Sequence, residues 1–316
     1  MVVIDHFYDK KRKKRFLHIL YYHIPTFFLM SFYFTYNTFS KFNISKIKLR
    51  FKRLLIPYFS WGVIAWIINN IYFYILHKKS DHSFYALLHN ILNGHIFILA
   101  LWFQNILILT TLVMTIVVFF FKNEYLLIFQ ILIIVSYKFQ YSGDNYYFFK
   151  KYFKANYYNT YGRFFDNFPH SITGFFLAAH CIPNKMKNCK IRSIIISLII
   201  LAIISYYKFK NNLQTFKYGG IRLNIASTCI FLIFFLSSNS VNINKKIKKV
   251  IDIITNYTAG IYFIHYLIGK GYIMKFLLAK KLKTFFGCFI IYIVSYGACI
   301  LLDKLIGKTE LRHLIK

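Results

Sequence analysis

Apolar runs of about 20 residues follow one another along the whole chain, separated by short basic stretches. A helix rises about 1.5 Å per residue, so runs of this length match the hydrocarbon thickness of a bilayer. Of the 316 residues, 58% are hydrophobic, and the mean hydropathy is +0.47. Both values exceed those of typical soluble domains. The predicted fold class is therefore all-α, a polytopic transmembrane helical bundle in which residues 1–316 form a single domain.

We expect about nine full spans plus a partial first helix that ends near His6. The full spans are predicted at residues 16–37, 54–77, 98–121, 124–141, 166–183, 191–208, 220–238, 257–276 and 284–303. The connecting segments are predicted as a basic loop at 40–53, an interfacial stretch at 82–96, a loop rich in Tyr, Asn and Lys at 142–162, and a basic amphipathic segment at 243–255. The predicted location is the plasma (inner) membrane, as a multi-pass protein.

The formal net charge of +32 does not indicate a nucleic-acid partner. Basic residues occur in nearly every loop and form no single arm or domain. Lys, Asn, Ile, Phe and Tyr are enriched together, as an AT-rich coding bias would produce. We therefore expect no nucleic-acid binding. The expected partner is the lipid bilayer, whose anionic head groups attract part of this charge.

Several kinds of catalytic site are disfavoured by what the sequence lacks. The five cysteines show no metal-ligand spacing, so no metal is expected. Gly-rich phosphate loops, GxSxG and HExxH motifs are not found. With only nine Asp and Glu residues and no evident pair among them, hydrolysis by two carboxylates and a carboxylate proton relay are both disfavoured.

Arg50 and Arg53 are the strongest candidate binding residues. Only eight of the 41 basic residues are arginine, yet two lie three positions apart where the basic stretch meets an apolar span. At that spacing on a helix their guanidinium groups share one face, and planar guanidinium groups bind phosphate or carboxylate through two parallel hydrogen bonds. A positive anchor at a span terminus is the alternative. It accounts for the neighbouring lysines but not for the use of arginine twice.

Three histidines near or within apolar runs are candidates for proton transfer. His6 closes the first apolar stub. The alternative there is an interfacial histidine that is solvated by water and has no catalytic role. His23 precedes Pro25 by two residues, so it is equally able to bond a carbonyl that the proline frees. His265 lies deep in an apolar run, where a buried, hydrogen-bonded histidine is the favoured interpretation.

Five segments, spread over nearly the whole chain, resemble the acyltransferase-3 group of integral membrane O-acyltransferases in its short form. These segments are 2–6 (VVIDH), 22–31 (YHIPTFFLMS), 50–58 (RFKRLLIPY), 101–103 (LWF) and 261–265 (IYFIH). Each is weak alone, but their order and spacing match the family.

The resemblance implies transfer of an acetyl or other short acyl group from acyl-CoA to a hydroxyl of an envelope or capsular polysaccharide. It implies His6 as the catalytic base and Arg50 and Arg53 as residues that bind the donor, with Arg163 in a region where the family often has a basic residue. The implied partners are acetyl-CoA as acyl donor and a glycan acceptor. His23 and His265 remain possible secondary site residues.

The sequence departs from the family at its start, at Asp5, where a glycine is common, and at Phe32. The family has about half a span more before the residue that corresponds to His6, so the first helix is expected to be truncated, its six residues reaching only about 9 Å. Phe32 stands where a glycine is usual, which predicts altered helix packing there. Two alternatives stay open: a transporter of glycans or lipid-linked sugars, and an inactive truncated acyltransferase that serves as a scaffold.

Overall fold

The structure, a computed structural model, describes residues 23–75, 84–93, 101–122, 124–141, 155–181, 195–203, 221–238, 244–269 and 285–306. All regular secondary structure in these residues is helical, as the all-α prediction requires. The helices are α1 His23–Tyr33, α2 Tyr36–Ser40, α3 Ile44–Ile75, α4 Phe84–Asn93, α5 Leu101–Phe120, α6 Tyr125–Tyr141, α7 Ala155–Phe176, α8 Ile221–Ser238, α9 Lys245–Thr255, α10 Thr258–Gly269 and α11 Phe285–Ile306. Residues 195–203 are also helical, and α7 continues into a π-helical turn, Leu177–Cys181.

Three of the described helices are long and apolar enough to cross a membrane. These segments are Ile44–Ile68 in α3, Leu101–Phe120 in α5 and Phe289–Ile306 in α11. Shorter apolar helices occupy Ile24–Tyr33, Tyr125–Ser136 and Ile221–Ser237. The chain is therefore a helical membrane protein, whereas the count of nine full spans stays a prediction.

The first correction concerns the predicted loop at 40–53, which is wrong from residue 44 onwards. Asn43 caps α3: its Oδ1 accepts a hydrogen bond from the backbone N–H of Lys46 at 3.1 Å, and from the Ser45 hydroxyl at 2.8 Å. A side-chain oxygen at this position satisfies an amide that has no partner within the helix. Helix α3 therefore begins ten residues before the predicted span, and its basic first turns precede the apolar part.

The second correction concerns the predicted loop at 142–162, which is wrong from residue 155 onwards, where α7 begins. The Asn- and Tyr-rich composition suggested a loop. A helix satisfies its own backbone hydrogen bonds, however, so it can extend beyond the apolar segment with polar and aromatic side chains on its surface.

The described residues divide into two compact units. Unit 1 contains residues 50–75 of α3, helix α4, residues 101–108 of α5, and helices α9, α10 and α11. Its core is formed by Tyr58, Trp61, Leu101, Phe263 and other buried apolar side chains. The Tyr58 hydroxyl, buried in this core, donates a hydrogen bond to the carbonyl of Ile91.

Unit 2 is organised around α7, which packs against α1, α6 and α8. Helix α7 approaches α1 closely at Gly174, where a Cβ atom would lie 3.0 Å from the Cα of Leu29 and closer still to its carbonyl. Altered packing was predicted at Phe32, on α1, because a glycine is usual at that position. Phe32 is fully buried and stacks on Phe39 with ring centroids 6.3 Å apart. The close approach to α1 is thus provided by a glycine on the opposite helix.

Candidate active site

Arg50 and Arg53 lie on successive turns of α3, in unit 1. Arg50 is half-buried, and Arg53 is exposed. Their spacing of three residues places the two guanidinium groups on neighbouring positions of one helix face. Two cations this close repel each other, and an anion bound by both would relieve that repulsion.

The turn that carries Arg53 is tied to α5 by Gln104. Pro57 lies inside α3 and has no backbone N–H, so the carbonyl of Arg53 lacks its usual donor four residues on. At the next carbonyl, that of Leu54, the Gln104 Nε2 donates a hydrogen bond of 2.6 Å. Helix α5 thus stabilises the part of α3 that the proline weakens.

The same glutamine offers an acceptor close to the arginine pair. Gln104 is 5% exposed, and its Oε1 atom has no hydrogen-bond partner among the residues that the structure describes. A buried amide oxygen without a partner costs roughly 1–3 kcal/mol. A bound molecule with a hydroxyl or amide N–H would remove this cost.

Aromatic side chains connect the arginine segment to the segment that contains His265. The rings of Trp61 and Phe263 stack with centroids 5.6 Å apart. Phe103, which adjoins Gln104, lies 5.6 Å from the Tyr262 ring, and that ring lies 6.0 Å from His265. Three segments separated by up to about 200 residues in sequence therefore meet in unit 1.

The tautomer of His265 follows from its hydrogen bond. The side chain is fully buried, and its Nδ1 lies 2.8 Å from the carbonyl oxygen of Ile261, one turn earlier on α10. A carbonyl oxygen only accepts, so Nδ1 carries the proton and Nε2 is the basic nitrogen. This contact holds the ring against its own helix, as a structural histidine would be held.

The remaining predicted site residues are not part of this cluster. His6 lies outside the described residues. His23 is the first residue of α1, and Arg163 lies half-buried on α7; both positions belong to unit 2. Among the described residues, no three His, Cys, Asp or Glu side chains come together as metal ligands.

Gln104 is a further candidate site residue, which the sequence analysis did not single out. It directly follows the Leu-Trp-Phe segment at 101–103, inside an apolar span. A polar side chain in such a span needs a partner, and this requirement could have drawn attention to it. Its partner could not be identified from sequence, because the Leu54 carbonyl lies 50 residues away.

Comparison with known proteins gives one finding. A protein-family model described as an acyltransferase domain matches residues 1–304. No curated protein and no solved structure matches the chain.

Proposed function

Since the chain belongs to the acyltransferase-3 family, whose model covers residues 1–304, we propose that it is a membrane O-acetyltransferase. In this proposal it transfers an acetyl group, or another short acyl group, from acyl-CoA to a hydroxyl of an envelope or capsular polysaccharide. It acts as a multi-pass protein of the plasma (inner) membrane.

The observation that carries this proposal is the convergence of three segments in unit 1. Residues 50–61, 102–104 and 261–265 contact one another there, through the Gln104 hydrogen bond and the aromatic contacts. Two adjacent guanidinium groups suit the phosphates of a CoA donor, because arginine binds phosphate oxygens through a planar fork.

The proposed reaction needs one base and an anion-binding site. His6 takes the proton of the acceptor hydroxyl, and the hydroxyl oxygen attacks the thioester carbonyl carbon. A C–O bond forms, the C–S bond breaks, and the CoA sulfur leaves as a thiolate that then takes up a proton. Arg50 and Arg53 hold the donor phosphates, so that the thioester is presented to the acceptor in a fixed position.

Arg163, His23 and His265 have supporting roles in the proposal. Arg163 contributes positive charge for an anionic substrate. His23 and His265 are candidate secondary residues, and the buried Nδ1–H contact of His265 favours a positioning role over proton transfer.

The test is the acetate content of the envelope polysaccharide with and without this gene. Polysaccharide from the deletion strain should lose alkali-labile acetate while the amount of exported polysaccharide is unchanged. Complementation with the wild-type gene should restore the acetate. Unchanged acetate per sugar would contradict the proposal. Loss of exported polysaccharide at constant acetate per sugar would indicate the transporter alternative.

A further inference from the structure

A pocket of about 480 Å³ lies in unit 2, between the helical residues 195–203, α7 and α8. Its walls are branched aliphatic side chains, including Ile196, Ile200 and Ile225. Its polar lining residues are Thr173, Ser197, Asn224, Thr228 and Cys229. Among the described residues, no charged side chain lines it. The volume lies in the range of sites for small molecules.

Two threonines supply hydrogen-bond acceptors to this lining. The Thr173 hydroxyl donates its proton to the carbonyl of Pro169 at 2.8 Å, and the Thr228 hydroxyl donates to the carbonyl of Asn224 at 2.8 Å. Each hydroxyl has a single proton, so both oxygens face the pocket with lone pairs alone.

The direction of these hydrogen bonds determines the tautomer of a buried histidine. The Asn224 Nδ2 donates to the Thr173 hydroxyl oxygen at 2.9 Å, which orients the amide so that its Oδ1 lies 3.2 Å from the Nδ1 of His170. Ser227 donates its own proton to the Asn224 carbonyl at 2.9 Å, so it also faces that Nδ1, at 3.4 Å, as an acceptor. The proton must therefore lie on Nδ1 of His170, which is fully buried.

The protons of this network therefore point in one direction, from His170 through Asn224 and Thr173 to the carbonyl of Pro169. Reversing the network would break the bond to that carbonyl, which can only accept. Acceptor oxygens among aliphatic side chains favour a ligand that donates a hydrogen bond to them.

We propose that this pocket binds a neutral amphiphile whose aliphatic chain lies against the isoleucine walls and whose hydroxyl group donates a hydrogen bond to Thr228 or Thr173. Neither an ammonium group nor a carboxylate would find a counter-charge among the described residues that line the pocket. The amphiphile is either a neutral lipid of the membrane, such as a diacylglycerol, or a free single-chain alcohol. None of the residues that line the pocket is assigned a role in acyl transfer.

The test is photolabelling of the full-length protein in phosphatidylcholine liposomes with hexadecanol that carries a diazirine on its chain. The methyl ether of the same probe has the same chain but no donor. Peptides covering 195–203 and 221–232 should be labelled about two- to tenfold more by the alcohol than by the ether, since one hydrogen bond distinguishes them. Equal labelling by the two probes, or labelling only elsewhere, would overturn the proposal.

Thr228→Val should lower labelling by the alcohol to the level of the ether and leave the ether unchanged. The matched control is Thr115→Val, because the Thr115 hydroxyl makes the same bond to its own helix, to the Thr111 carbonyl at 2.7 Å, and does not line the pocket. Ile200→Trp, which fills the pocket, should reduce labelling by both probes. Wild-type labelling in both Thr228→Val and Ile200→Trp would contradict the assignment.

Competition distinguishes the two sources of ligand. If unlabelled dioleoylglycerol in the liposomes suppresses labelling, the ligand is a membrane lipid. If only added hexadecanol suppresses it, the ligand is a free single-chain alcohol. If additional phosphatidylcholine suppresses labelling as well as dioleoylglycerol does, the pocket binds any acyl chain. That result would overturn the requirement for a hydroxyl.

Discussion

Arg50 and Arg53 carry the same charge but lie in different surroundings, one half-buried and the other exposed. Between them, Lys52 supplies a third, exposed cation on the same turn of α3. If the segment served only as a positive anchor, lysine and arginine would be interchangeable throughout it. If it binds donor phosphates, the planar fork of arginine matters at two positions and not at the third.

Arg53→Lys should therefore lower kcat/KM for acetyl transfer by about tenfold or more, although the charge is unchanged. A lost charge-assisted hydrogen bond costs roughly 1.5–3 kcal/mol, which accounts for a change of this size. The KM for acetyl-CoA should rise, and wild-type protein and Lys52→Arg should behave alike in the same steady-state assay. Wild-type kinetics for Arg53→Lys would show that this position does not recognise the donor through a fork.

Gln104→Met should destabilise the protein by about 1–3 kcal/mol, because the Leu54 carbonyl beside the Pro57 break then loses its side-chain donor. Thermal unfolding in detergent, followed by tryptophan fluorescence, measures the change. Gln130→Met is the control, since Gln130 is exposed on α6. Equal unfolding temperatures for the two variants would show that the Gln104 bond does not stabilise α3.

Sequence alone predicted the arginine pair and His265 as candidates because their signals are local: rare residue types, a fixed spacing, and position in an apolar run. It did not identify Gln104 or the network from His170 to Thr173. In both cases the partner lies about 50 residues away, and only the folded chain brings the two groups together. The roles of His6, Arg50, Arg53 and Arg163 remain predictions from the family.

At the scale of helices, α5 and α6 lie close to their predicted bounds, because continuous apolar runs mark helices well. The starts of α3 and α7 were predicted wrongly. Hydropathy marks where a chain enters the membrane, whereas a helix begins where a cap or its own hydrogen bonds allow it to begin. For α3 that position is set by the side chain of Asn43.

Two glycines provide a matched test of helix packing. Gly174→Ala should destabilise the protein by about 1–3 kcal/mol or more, because the added methyl group meets the backbone of Leu29 on α1, and that backbone cannot rotate away as a side chain could. Gly297→Ala on α11 should be neutral or slightly stabilising, because an added Cβ there meets nothing within 4 Å and alanine favours a helix.

Thermal unfolding of the two purified glycine variants under one detergent condition decides this prediction. The expected order of unfolding temperature is Gly297→Ala at or above wild type, and Gly174→Ala below it. An equal or higher value for Gly174→Ala would show that α1 and α7 are not in the close contact that the structure gives.

At the scale of the whole molecule, membrane class and family are established, while the number of spans and the single-domain organisation remain predictions. Hydropathy predicted the class because 58% of the residues are hydrophobic and occur in long runs. It could not fix the topology, since lysine is present in nearly every loop and the usual asymmetry of positive charge is weak.

Topology reporters fused after residues 80, 122 and 145 test the predicted arrangement of spans. Residues 98–121 and 124–141 are each predicted to cross the membrane once. The reporter after residue 122 should therefore lie on the opposite side from the other two. A reporter that is active on one side only, such as alkaline phosphatase, measures this directly. If the reporters after residues 80 and 122 lie on the same side of the membrane, a span at 98–121 is ruled out.

Acetyl transfer from radiolabelled acetyl-CoA to envelope polysaccharide, by purified protein in liposomes, tests the proposed function most directly. Wild-type protein and the His313→Ala control, whose substitution lies beyond the matched residues, should transfer label at equal rates. His6→Ala should reduce the rate to background while the protein still binds CoA, because the base is lost and the arginine pair remains. Transfer by His6→Ala at the wild-type rate, or no transfer by the wild-type protein, would contradict the account.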